Sequence, residues 1–137
     1  MADQQTTALL RQVPLFSDLD NRELEQVADS MKRRQFSPGQ EIAREGESGV
    51  GFFVIEEGNA KVSVHGDERR RLGPGDYFGE IALIAQGART ATVTAENDLT
   101  ALGMTFWDFR PLVEGNASIA WKLLQSFAKT YGQDEHD

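Results

Sequence analysis

The sequence predicts a mostly β domain of the antiparallel sandwich or barrel kind with helices at both ends, and three observations predict it. First, the stretch from Arg33 to Met104 is cut into short β-rich runs by turn residues, spaced at roughly 8 to 12 residues as in antiparallel sandwiches and barrels. Second, helical periodicity is confined to the two ends of the chain. Third, 13 glycines against 4 prolines in 137 residues supply many tight turns without the composition of a disordered segment.

The N-terminal part reads as two helices over residues 1–32. Leu9, Leu10 and Val13 fall at helical spacing before Pro14, which ends the first helix because a proline disfavours αR in the residue before it. Asp20 with Glu23 forms a capping-box start for a second helix, in which Leu24, Val27, Ala28 and Met31 make an apolar stripe. The β region, residues 33–104, has turn signals at Ser37-Pro38-Gly39, Glu45-Gly46-Glu47, Gly58-Asn59, Gly66-Asp67 and Gly73-Pro74-Gly75. Between them lie strand-like runs at 41–44, 52–56, 61–65, 68–72, 90–95 and 99–104. Val62 and Val64, then Ala91, Val93 and Ala95, alternate with polar neighbours, so one face of each strand points inward. Thr105 with Asp108 starts a short helix carrying Phe106, Trp107 and Phe109, and Gly115 breaks the chain. A last helix from Asn116 to Tyr131 places Trp121, Leu124, Ala128 and Tyr131 on one stripe, with Ile119, Leu123 and Phe127 beside it. The tail 132–137 is polar and acidic.

Composition narrows the function. The absence of cysteine removes disulfides, thiolate metal sites and a cysteine nucleophile. A formal net charge of -8 opposes sequence-independent nucleic-acid binding, which needs a concentrated basic surface. The clusters Lys32-Arg33-Arg34 and Arg69-Arg70-Arg71 read as solvated strand edges that discourage edge pairing. Neither a leader pattern nor an apolar run of membrane-spanning length is present, so the expectation is a cytoplasmic protein without membrane contact. His65 and His136 stand apart from any cluster of metal ligands, and Trp107 and Trp121 read as core anchors.

One stretch breaks the strand rhythm: Phe78-Gly79-Glu80-Ile81-Ala82-Leu83, followed by Arg89-Thr90-Ala91-Thr92-Val93. The residues from Ile81 to Ala85 have room for one or two helical turns, whose start at Gly79-Glu80 presents free backbone N–H groups to an anion. Gly79 has no side chain to block the approach. Arg89 can fork two charge-assisted hydrogen bonds onto phosphate oxygens. A carboxylate beside a phosphate is repulsive unless it has its own donor, so Glu80 points to a ribose 2′-OH. Phosphate and ribose hydroxyl together mean a nucleotide.

These residues resemble the phosphate-binding cassette of the cyclic-nucleotide-binding domain family, of the type found in cAMP receptor proteins and protein kinase regulatory subunits. Val13-Pro14-Leu15-Phe16-Ser17-Asp18-Leu19 resembles the family's N-terminal helix and turn, and Gly73-Pro74-Gly75-Asp76-Tyr77-Phe78 its approach strand. The resemblance implies a single domain over 1–137: a jelly-roll β-barrel with its cassette at 78–93 and C-terminal helices at 105–131 acting as a lid. It implies ligand contacts from Gly79, Glu80, Ile81, Ala82, Arg89, Thr90 and Ala91, with the ribose on Glu80 and the cyclic phosphate on Arg89. Leu72, Val93 and Ile84 line the base pocket or fill the barrel, while Leu124, Phe127 and Tyr131 are lid candidates. Ala88 stands where the family often has proline. The implied function is a non-enzymatic, stand-alone sensor of cAMP, with cGMP as a second ligand, no cofactor and an unidentified effector protein as partner. The alternative is a barrel that has lost its ligand and docks partner proteins. Too few residues follow the last helix for a helix-turn-helix module.

Overall fold

The computed structural model describes residues 4–47, 51–84 and 89–132, with only the backbone of Ile81, Ala82 and Tyr131. Two compact units emerge, one formed by the two ends of the chain and the other by residues 31–106.

The β unit contains eight strands: β1 (Lys32–Phe36), β2 (Glu41–Ala43), β3 (Gly51–Glu57), β4 (Ala60–Val64), β5 (Asp67–Leu72), β6 (Tyr77–Phe78), β7 (Thr92–Ala95) and β8 (Leu99–Thr105). They pair antiparallel in two four-stranded sheets, ordered β1-β8-β3-β6 and β2-β7-β4-β5. The expected barrel is therefore two open sheets rather than one closed cylinder. Their inner faces share one core, to which every strand contributes: Phe36, Ala43, Ile55, Ala60, Val62, Leu72, Phe78, Val93, Ala95, Leu99 and Ala101. Alternation is cleanest in β7, where Val93 and Ala95 are buried between half-exposed threonines. The central strands β3 and β8 bury both faces, with Phe52 opposite Met104 and Val54 opposite Leu102. Phe53 makes an edge contact with Phe36 at 6.1 Å and stacks on Phe78 at 5.4 Å. Its ring lies where a Cβ of residue 103 would stand, so only glycine fits there. β1 carries four exposed residues before Phe36, and its polar sequence hides a strand that pairs with β8 along all five residues.

The helical unit comprises α1 (Gln4–Arg11), a 3-10 turn (Pro14–Phe16), α2 (Asn21–Asp29), α3 (Phe106–Glu114, whose first residue belongs to the β unit) and α4 (Ala117–Gly132). The capping box forms as expected: Asp20 accepts from the Glu23 amide and Glu23 from the Asp20 amide, each at 2.9 Å. Met31 lies beyond the end of α2. Pro111 sits inside α3. Asn116 closes that helix by donating its side-chain amide to the Leu112 carbonyl at 2.7 Å, and its own carbonyl starts α4 by accepting from Ala120.

Of the two neighbouring rows expected on α4, Ile119 and Leu123 are buried together with Ser126, whereas Trp121, Leu124 and Ala128 are exposed. Trp121 and Leu124 are each 62% exposed and Trp107 is 61% exposed, which overturns the reading of both tryptophans as core anchors. The buried row is fixed by contacts that periodicity does not contain: Glu23 of α2 accepts from Ser118 at 2.8 Å and from Lys122 at 2.7 Å. Among the described residues, no helix is long and apolar enough to cross a membrane.

Glu23 yields a prediction for acid unfolding. The bond from Lys122, then the Asp20 amide, hold its carboxyl at about 2 instead of the ordinary 4.5. A carboxylate with a lowered folded pKa contributes stability above its unfolded value and loses it as pH falls toward the folded one. In urea titrations, Glu23→Gln should be less stable than wild type by a constant gap above pH 4.5, and the gap should close as pH falls to about 2.

Candidate functional site

The cassette hangs between β6 and β7. β6 is fastened to β3 through Phe53 opposite Phe78 and Val54 opposite Tyr77, and the chain then turns sharply at Gly79, whose φ is 86°. That left-handed backbone favours glycine. The expected short helix is a 3-10 turn, Glu80–Leu83, anchored by Leu83 at 1% exposure while Ile84 beyond it is 47% exposed. The amides of Ile81 and Ala82 lie at the start of this turn. Their side chains, together with the loop residues 85–88 that include Ala88, lie outside the described residues.

Arg89 is held from two sides. Its amide donates to the Glu47 carbonyl at 2.8 Å and its carbonyl accepts from the Gly46 amide at 2.9 Å, which pins its backbone to the turn before β3. Its guanidinium donates to the Gly51 carbonyl and lies directly against Gly79, where a Cβ would overlap both that carbonyl and the guanidinium nitrogen. The structure thus brings Gly79 and Arg89 into contact. Burial lowers the Arg89 pKa, the direction expected of a cation taken out of water. Among the described residues no carboxylate pairs with it.

Glu80 is half-buried beside Tyr77. Burial raises the Tyr77 hydroxyl pKa first, Glu80 raises it further, Arg70 opposes them and Asp76 adds a smaller rise. Glu80 and Arg70 therefore act on one ring. Arg70 is exposed on β5, the edge strand of its sheet, as the sequence reading expected, and the two-residue period of that strand puts it on the same face as Leu72. Leu72 and Val93 are buried in the shared core. Thr90 is exposed and Ala91 packs against the core. The Thr92 hydroxyl accepts from the Glu45 amide at 3.0 Å and so braces the turn that holds Arg89.

Leu124 is exposed and Phe127 half-buried on α4, and the Tyr131 side chain lies outside the described residues. A cleft of about 420 Å³ belongs wholly to the helical unit; Asp20, Arg22, Gln26 and Asn116 are among its lining residues and no cassette residue is. Among the described residues no group of three or more His, Asp or Glu side chains could hold a metal ion.

The profile of the cyclic nucleotide-binding domain matches residues 33–116. The chain belongs to this family. Similar proteins include a cAMP-dependent protein kinase regulatory subunit of Mycosarcoma maydis, 42% identical over 91% of this chain and 25% of that protein. One from Blastocladiella emersonii is 33% identical over 92% of this chain and 32% of that protein. A cGMP-dependent protein kinase of Toxoplasma gondii is 40% identical over 64% of this chain and 9% of that protein. The chain thus spans at most about a third of these relatives. Among solved structures, the N-terminal domain of a Streptomyces coelicolor A3(2) transcriptional regulator superposes with TM-score 0.87 at 27% identity, covering 93% of this chain and 94% of that one. A cAMP-bound PfPKA-R gives TM-score 0.70 at 29% identity, covering 98% of this chain and 48% of that one. These neighbours share the jelly-roll-like arrangement of antiparallel sheets with helices at both ends.

Gly79→Ala tests the geometry without any ligand. A Cβ there meets a left-handed φ and overlaps the Gly51 carbonyl and the Arg89 guanidinium, so the variant should lose about 1 to 3 kcal/mol in denaturant unfolding. Unchanged stability would mean that the turn at 79 is not built as described.

Proposed function

We propose that this chain binds a cyclic nucleoside monophosphate as a non-enzymatic regulatory domain, with cAMP the preferred ligand and cGMP a detectable second one. One observation carries the reading: in a segment matched by the family profile, the half-buried Arg89 abuts Gly79 and has a carbonyl but no carboxylate against it among the described residues. A cation placed this way lacks a counter-charge, and a phosphate supplies it. The amides of Ile81 and Ala82 complete the anion cradle, and Glu80 takes the ribose 2′-OH. Ligand contacts extend to Thr90 and Ala91. The helix 116–131, with Leu124, Phe127 and Tyr131, responds to binding as a lid. The relatives' names support an effector protein of the kinase type. A ligand-free docking module of the same fold is the rival reading.

Calorimetric titration with cAMP and cGMP separates the two. Binding should raise the unfolding temperature by mass action. Arg89→Ala should weaken binding by about 2 to 5 kcal/mol while the β unit stays folded, and Glu80→Gln should weaken it less, because an amide oxygen still accepts from the 2′-OH. No heat and no thermal shift at millimolar nucleotide would leave the docking module as the function.

Base choice has its own test. Thr90 follows Arg89 directly, where a hydroxyl reaches the 2-amino group of a syn guanine, and Arg70 offers donors suited to the O6 and N7 of guanine but not to the N6 amino group of adenine. A single such bond is worth about 0.5 to 1.5 kcal/mol. Thr90→Ala and Arg70→Ala should each lower the affinity for cGMP more than that for cAMP. An unchanged ratio in both variants would remove these residues from base recognition.

A further inference from the structure

Glu45 joins three parts of the β unit. Its carboxylate takes hold of the β4–β5 hairpin, where Oε1 accepts from the His65 amide at 2.9 Å and Oε2 lies 3.2 Å from His65 Nδ1. Its own amide donates to the Thr92 hydroxyl of β7 at 3.0 Å. The next two residues grip Arg89: the Gly46 amide donates to its carbonyl at 2.9 Å, and the Glu47 carbonyl accepts from its amide at 2.8 Å. Among the described residues the other charged side chains of this turn stay within their own segment, Arg44 pairing with Glu41 at 2.6 Å and with Glu47 at 3.2 Å. Glu45 therefore supplies the side-chain tie from the turn to the hairpin.

The hairpin is shaped to meet it. Val64 pairs with Asp67, so His65-Gly66 is a two-residue loop, and both residues have a positive φ, 53° and 84°, as a type I′ turn requires. Among the described residues, His65 is the one non-glycine residue with a positive φ. Its two groups contribute unequally. The imidazole is 83% exposed, where water screens an ion pair, whereas the amide meets a carboxylate that is only 26% exposed. The backbone bond carries the clasp.

We infer that Glu45 is a positioning residue for the anion site: by tying the turn at 44–47 to the tip of the β4–β5 hairpin, it holds the backbone that presents Arg89. Without its carboxylate the turn keeps the Thr92 bond and its bonds to Arg89 itself, so turn and arginine are free to shift together. That Arg89 receives a nucleotide phosphate rests on the proposed function; that Glu45 steadies the Arg89 backbone does not.

Amide exchange and calorimetry on the full chain test the two statements separately. Without ligand, Glu45→Ala should speed exchange at the Gly46 and Arg89 amides by about fivefold, the factor for one hydrogen bond, with the β8 amides unchanged. Glu45→Gln, whose amide oxygen still accepts from the His65 amide, should keep the slow exchange. His65→Asn keeps the positive φ and the backbone bond and should stay within about twofold of wild type. With cAMP, Glu45→Ala should weaken binding by about fivefold, and Glu45→Gln should bind as wild type does. Thr92→Val, which removes the acceptor of the Glu45 amide, should act in the same direction and serves if Glu45→Ala does not fold. Glu68→Ala, which breaks an exposed pair with Arg71 on the same hairpin, should change neither readout. Exchange at Gly46 and Arg89 that Glu45→Ala leaves alone, or raises equally with that of β8, would overturn the positioning role, as would a loss of affinity that Glu45→Gln shares. A wild-type chain that gives no heat with cAMP would count against the proposed function, while the ligand-free exchange still decides whether Glu45 holds Arg89.

Discussion

A guanidinium drawn half out of water is a costly arrangement unless a carboxylate stands beside it, and at Arg89, where the described residues supply none, the neighbouring turns supply backbone carbonyls instead. The turn at 44–47 grips its backbone from both sides, Thr92 braces that turn, and the Gly51 carbonyl takes a guanidinium hydrogen. Gly79 leaves the space that the guanidinium occupies. Carbonyl oxygens orient a cation without neutralising it. A carboxylate in the same place would fix the arginine more firmly and compete with a phosphate.

The sandwich gives this arrangement its rigidity. Phe53 is pinned between Phe36 and Phe78, and the Phe53–Phe78 pair also joins β3 to β6, the strand that delivers Gly79. Leu83 anchors the far side of the cassette turn by burial.

The last helix shows how one amphipathic element can hold two apolar rows with different fates. Ile119 and Leu123 are buried, while Trp121 and Leu124 lie open. Ser118, Lys122, Ser126 and Lys129 decide between the rows, because each finds a carboxylate on the N-terminal segment.

The local rules reached far in this protein. The capping box at Asp20 and Glu23, the turn glycines, most of the strand runs and the cassette from Gly79 to Arg89 were all legible in the sequence, because each depends on residues near one another along the chain. Tertiary structure decided what depends on distant partners. It split the expected barrel into two sheets and made a strand of the polar Lys32–Phe36 by pairing it with β8. It left Trp107 of α3 and Trp121 of α4 exposed. It also brought the opposing charges of Glu80 and Arg70 to bear on the Tyr77 hydroxyl. Periodicity states how many faces a helix or strand has, but which face is buried depends on partners such as Glu23 and Lys122, which stand 99 residues apart.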